Sequence, residues 1–109
     1  MAPVDLNKAI ELNPAYAPSY GEVAFSYHMT KKYDKALDQV NKAIELDSAD
    51  ARFYYTRSLI YTATQKYELA VADLENTIKM TKDDSLATKA SNDLQALQAK
   101  ISAKTPPTN

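Results

Sequence analysis

The stretch NKAIELNPAYAPSY, from Asn7 to Tyr20, returns as NKAIELDSADARFY, from Asn41 to Tyr54, after a shift of 34 residues. A repeat of that period constrains the chain more than any single residue, because each copy must be one supersecondary unit that cannot bury its apolar face alone. The same shift lays Tyr20 on Tyr54, Tyr27 on Tyr61, Tyr33 on Tyr67, Ala36 on Ala70 and Val40 on Leu74, and carries Ile10 onto Ile44 and Ile78. Within the first unit large residues recur in steps of three and four: Tyr20, Val23, Ala24 and Tyr27, then Tyr33, Ala36, Leu37, Val40, Ala43 and Ile44. Those steps put each set on one helix face. Between the sets, MTKKY and ATQKY leave room only for a tight turn, so the two helices run antiparallel. The expected fold is all-α, a solenoid of antiparallel helical hairpins with helices near residues 4–13, 17–30, 33–47, 51–64, 67–81 and 84–103.

These residues carry a family resemblance. The pattern resembles the tetratricopeptide repeat, or TPR, whose 34 residues form two helices with an aromatic, a Leu-Gly pair, a Tyr, then Ala, a large apolar residue, Ala and Pro at fixed offsets. Here the first unit reads Tyr20, Val23-Ala24, Tyr27, Ala36, Val40 and Ala43, with Ser48 where Pro is expected. The second reads Tyr54, Arg57-Ser58, Tyr61, Ala70, Leu74 and Thr77, with Lys82 at the Pro place, which Pro14 does fill one unit earlier. The small residues Ala24, Ser58, Ala36 and Ala70 let the helices of a hairpin approach closely. The resemblance divides the chain into a second helix of a truncated repeat (1–16), two full units (17–50 and 51–84), a capping helix (85–103) and a disordered tail (104–109). The chain then reads as a C-terminal piece of a longer array. In the capping segment Leu86, Ala90, Leu94, Leu97 and Ile101 make one apolar face, while Thr88, Ser91, Asn92 and Gln95 occupy places a further repeat would bury.

Composition removes several classes of function. The formal charge is −1, so no basic excess calls for nucleic acid or an anionic membrane surface. There is no cysteine, hence no disulfide or thiol chemistry, and no metal or other cofactor is expected. His28 is the single histidine, which leaves no His-based metal cluster and no nucleophile–base pair of the usual kind. The compartment stays open, with the cytoplasm favoured. Acidic residues alternating with lysines along the second helices read as a solvated face. The chain is expected not to be an enzyme.

What remains is binding. The resemblance implies a right-handed superhelix whose concave side is lined by the first helix of each unit and takes an extended or helical peptide. The groove places fall on Pro18, Gly21, Glu22, Phe25, His28, Arg52, Tyr55, Thr56, Leu59 and Lys89. The seven taken as peptide-binding are Gly21, Phe25, His28, Arg52, Tyr55, Leu59 and Lys89, with Phe25, Leu59 and Tyr55 expected to form one apolar patch that supports little of the core. Arg52 and Lys89 are expected to supply positive charge at one rim, opposite Glu22. One TPR subclass grips a C-terminal carboxylate at places that here hold Gly21, Phe25, Thr56, Leu86 and Ala90, none of them suited to it. Gly21 inside a helix costs about 1 kcal/mol relative to Ala, and room for Tyr55 or another ring of the next helix is the expected reason.

Tyr20, Ala24, Tyr27, Ala36, Tyr54, Ser58, Tyr61 and Ala70 are assigned to packing. So are Arg57, where the first unit has Val23, and Asp73, where it has Gln39. Both departures occur in one unit, which pairs them as a salt bridge inside one hairpin. A structural spacer or self-associating segment is the rival reading. Val4, Leu6 and Ile10 would offer an apolar face for homo-oligomer formation through the N-terminal helix.

Overall fold

The computed structural model describes residues 15–104 of the 109. The expected helix at 4–13, its association face and the tail from 105 lie outside the described residues. Five helices follow in order: α1 (Ala17–Met29), α2 (Tyr33–Leu46), α3 (Ala51–Ala63), α4 (Tyr67–Met80) and α5 (Asp84–Lys104). Among the described residues there is no strand. Each helix packs on the next, and α3 also touches α1 and α5, so α1, α3 and α5 stand side by side with α2 and α4 behind them. Among the described residues no helix is long and apolar enough to cross a membrane.

Local chemistry explains where the helices start and stop. Pro18 occupies the first turn of α1, where no amide hydrogen is needed and φ is already set. α1 ends at Thr30, whose hydroxyl donates to the carbonyls of Ser26 and Tyr27, and the Lys32 amide then reaches back to Tyr27 O at 2.8 Å. One repeat later Thr64 donates to Ile60 and Tyr61, and the Lys66 amide reaches Tyr61 O at 2.8 Å. Both turns hold a non-glycine residue in the left-handed region, Lys31 and Gln65, each with φ 63°. The Asp50 carboxylate caps α3 by accepting from the Arg52 amide at 3.0 Å, and Asp83 accepts from the Ser85 amide at 2.9 Å at the start of α5.

Among the described residues the core forms two clusters, one where α1, α2 and α3 meet and one between α4 and α5. Ala17, Tyr20, Ala24, Ala36, Val40, Ala43, Phe53 and Ile60 make the first, with Tyr27, Tyr33, Leu37 and Ile44 packed on it. Ala70, Leu74, Ala90 and Leu97 make the second, with Tyr55, Tyr61, Tyr67, Val71, Ile78 and Leu94 around it. Ala24, Ala36, Ala43, Ala70 and Ala90 are fully buried, so methyl-sized side chains set the distance between neighbouring helices. Ser58 is buried as well and satisfies its hydroxyl on the Tyr55 carbonyl at 2.6 Å. Leu97 is buried while Gln95 and Gln98 on either side of it are exposed, so the middle of α5 closes the second cluster with one face and meets water with the other.

The ring that answers Gly21 is Phe53. A Cβ at Gly21 would stand 2.6 Å from Phe53 Cε1 and 3.0 Å from Cδ1, and Phe53 is buried. Glycine is therefore a packing requirement of the α1–α3 contact, and the ring of the next helix that it makes room for is Phe53.

Inside the second hairpin the Arg57 guanidinium grips Asp73 with two bonds, Nε to Oδ2 at 2.9 Å and NH2 to Oδ1 at 2.8 Å. A third donor reaches Asn41 Oδ1 at 3.0 Å, which ties α3 back to α2 of the preceding hairpin. The guanidinium carbon also lies 5.5 Å from the Tyr54 ring centroid and 5.8 Å from that of Tyr61. Tyr54 in turn donates its hydroxyl to the Ser48 carbonyl at 3.1 Å. One charged side chain thus joins three helices.

Candidate functional site

α1, α3 and α5 stand side by side, and the 34-residue shift aligns their sequences in columns: Gly21, Tyr55, Lys89; Phe25, Leu59, Asp93; and His28, Thr62, Ala96. Two small clefts open between these helices. The first, about 160 Å³, lies between α1 and α3 and is lined by Pro18, Gly21, Glu22, Arg52, Phe53 and Thr56. The second, also about 160 Å³, lies mainly between α3 and α5 and is lined by Ser58, Leu59, Thr62, Leu74, Asp93, Ala96, Leu97 and Lys100. Each holds roughly one side chain, well below the ~300 Å³ or more of a small-molecule site. A wider hollow of about 520 Å³ sits at the loop end of the helices, between Asp47–Arg52 and Met80–Asp83, with Leu86 at its edge.

The structure distributes the expected groove residues unevenly. Gly21 and Arg52 share the first cleft, and Leu59 lines the second. Tyr55 does not stand free beside Phe25. Its ring packs on the second core cluster and its hydroxyl donates to Asp93 Oδ2 at 2.8 Å, making it a strut between α3 and α5. Burial, reinforced by that bond to a carboxylate, pushes the Tyr55 phenol up to about 12, so it keeps its proton at any physiological pH. The expectation that Tyr55 supports little of the core is therefore corrected. Tyr55 is thus tied into the α3–α5 contact, while Phe25 is exposed on α1 and Leu59 lines the cleft against α5.

Phe25 is exposed and its ring centroid lies 6.0 Å from that of His28, which is 5.9 Å from that of Tyr33. Met29, one turn beyond Phe25, is exposed as well. The His28 Nδ1 is buried and has no hydrogen-bond partner among the described residues. Burial holds the imidazole below its ordinary pKa, with the Leu59 backbone partly opposing.

Arg52 lies on the first cleft but its charge is taken up. Its Nε donates to Asp50 at 3.0 Å and its NH2 closes a salt bridge to the same carboxylate, which holds Asp50 below the usual carboxylate range. The rim expected to be positive is thus locally neutral, and Lys89 is an exposed cation on α5. Asp93 is the cleft residue that sequence reasoning missed. It sits 34 residues beyond Leu59, so the same shift that placed Phe25 and Leu59 in the groove would have found it. Among the described residues no group of three His, Cys, Asp or Glu is arranged to hold a metal ion.

Comparison with known proteins agrees with the architecture. Models of the tetratricopeptide repeat match residues 6–38 and 51–84, together more than half of the chain. The first match ends inside α2, and the second spans α3 and α4 to the first residue of α5. The crystal structure of YrrB, described as a TPR protein with an unusual peptide-binding site, superposes with a TM-score of 0.78 at 26% identity. The superposition covers 89% of this chain and 48% of that one, so the chain spans about half the length of YrrB. No curated protein matches the sequence. The paired helices, the repeat and these matches place the chain in the tetratricopeptide repeat family, a fold of protein–protein interaction.

Proposed function

We propose that this chain is a non-enzymatic binding module that holds an extended or helical peptide across α1, α3 and α5. In this reading residues 17–50 and 51–84 are the two repeats and 85–103 is the cap. The observation that carries the proposal is the pair of one-side-chain clefts flanking α3, with the exposed Phe25 ring on the helix beside it. Two clefts and an aromatic ledge suit a polypeptide that inserts alternate or helically spaced side chains, where burial of a few anchors dominates affinity. Gly21 and Arg52 would meet one anchor, Leu59 and the Tyr55–Asp93 strut a second, and Phe25 with His28 a third, with Lys89 near the rim. YrrB's description as a peptide-binding protein supports the same reading.

The test is selection of a phage-displayed random dodecapeptide library on the immobilised chain, followed by fluorescence anisotropy of the enriched sequences. Saturable binding that weakens at least tenfold in Phe25→Ala and Leu59→Ala variants of unchanged fold is the expected result. A selection that yields no saturable binder refutes the module and leaves the spacer reading. Concentration-dependent sedimentation would then decide whether such a spacer self-associates.

A further inference from the structure

We infer that the cleft between α3 and α5 is a socket for a lysine or arginine side chain of the bound polypeptide, with Asp93 as the residue that selects it. The inference rests on the peptide-binding reading above and adds a chemical class to one of its anchors. In the column Phe25, Leu59, Asp93 the first two places are apolar and the third is a carboxylate. That carboxylate is half-buried on the cleft wall beside Leu59, Ala96 and Leu97.

Its bonding leaves it incomplete. Oδ2 accepts from the Tyr55 hydroxyl at 2.8 Å, a neutral donor, and among the described residues no ion pair includes Asp93. Lys100, the cation lining this cleft, is exposed on the same helix and holds its ammonium 6.0 Å from the Tyr67 ring centroid. A cation entering the cleft would meet an ionised acceptor, and charge-assisted hydrogen bonds are the stronger kind. A long basic side chain suits such a cleft, laying its methylenes on Leu59 and Leu97 and its charged head on the free oxygen of Asp93. The volume of about 160 Å³ suits one such side chain. A bare metal ion does not fit, because one carboxylate cannot supply the six or more oxygens a hard cation takes.

The plainer alternative is that Asp93 serves only as an acceptor for Tyr55. An asparagine would do that equally well, which makes Asp93→Asn the discriminating variant: it keeps an oxygen for the Tyr55 hydroxyl and removes the charge. The probe is the same dodecapeptide library, selected in parallel on the wild type, on Asp93→Asn and on Asp93→Lys, with thermal melting of each variant as the folding check. Wild-type binders should share a Lys or Arg beside apolar residues. The Asp93→Asn protein should still select apolar peptides but lose the basic residue, and Asp93→Lys should select Asp or Glu in its place. In a single wild-type binder, replacing that Lys by norleucine should weaken binding about tenfold on the wild type and hardly at all on Asp93→Asn. Peptides that bind without a shared basic residue, or whose basic residue survives Asp93→Asn selection, overturn the socket and leave the peptide-binding reading standing. An empty wild-type selection overturns both.

Discussion

Replacing Arg57 by Leu should be among the costliest single changes in this chain, and the cost should largely disappear when Asp73 is replaced as well. The Asp73 side chain is 4% exposed and the Arg57 side chain 23%, so removing the arginine strands a carboxylate that water can hardly reach. Breaking a buried pair from one side costs about 3–5 kcal/mol, and the partial exposure of Arg57 argues for about 3 here. Removing Asp73 instead leaves the guanidinium with Asn41, the rings of Tyr54 and Tyr61 and a path to solvent, which suggests a smaller loss, about 1–2 kcal/mol. With both replaced by Leu, the site becomes apolar and no charge is stranded, so the double variant should lie within about 1–2 kcal/mol of the wild type. The coupling is then about 2–4 kcal/mol. Urea denaturation of the four proteins, followed by circular dichroism, measures it through shifts in midpoint at constant slope. The coupling should survive 0.5 M NaCl, because the pair is shielded from salt. Effects that add to within about 0.5 kcal/mol, or a coupling abolished by salt, would refute the argument.

Three further changes have signs fixed by the geometry. Gly21→Ala gains about 1 kcal/mol of helix propensity but drives a methyl into the buried Phe53 ring, an overpacking cost of about 1–3 kcal/mol; a net loss of about 1 kcal/mol in urea titration is expected, and a gain would mean that Phe53 moves freely. Gln65→Gly relieves a left-handed residue at a helix end and should stabilise by about 0.5–1 kcal/mol, whereas the same change at Thr62, inside α3, should destabilise. The Tyr55 phenol, raised from 10.0 to about 12, resists losing its proton in the folded state, so its contribution is full below pH 10 and is lost as pH rises from 10 to 12. Thermal melting of the wild type should therefore fall more steeply over that window than melting of Tyr55→Phe, and parallel curves would contradict the strut.

Which features could be read in advance follows from what a repeat records. Helix positions and antiparallel pairing were legible because each place occurs twice, so Tyr20 with Tyr54 and Ala36 with Ala70 confirm one another. The contact between Arg57 and Asp73 was legible for the opposite reason, since two departures from the pattern fell in the same unit. Phe53 was not legible: its counterpart one shift earlier is Ser19, and an aromatic without an aromatic partner in the repeat raises no signal. In the capping helix the apolar face and the polar places Thr88, Ser91, Asn92 and Gln95 carry the sequence signal, so Asp93 does not stand out and Tyr55 has no evident partner. Arg52 was counted as a rim charge although Asp50, two residues before it, is both the cap of α3 and its neutralising partner. The left-handed turns at Lys31 and Gln65 carry no glycine or asparagine, and a tight interhelix turn imposes them against local preference.

The central claim is that the surface shared by α1, α3 and α5 is where a polypeptide binds. Titrating an isotopically labelled sample with one library-selected peptide, and following amide chemical shifts, tests it most directly. The account predicts the largest saturable shifts at Phe25, Thr56, Leu59 and Asp93, with Leu46 and Leu69 on the opposite helices unmoved. Shifts concentrated on α2 and α4 instead would contradict it.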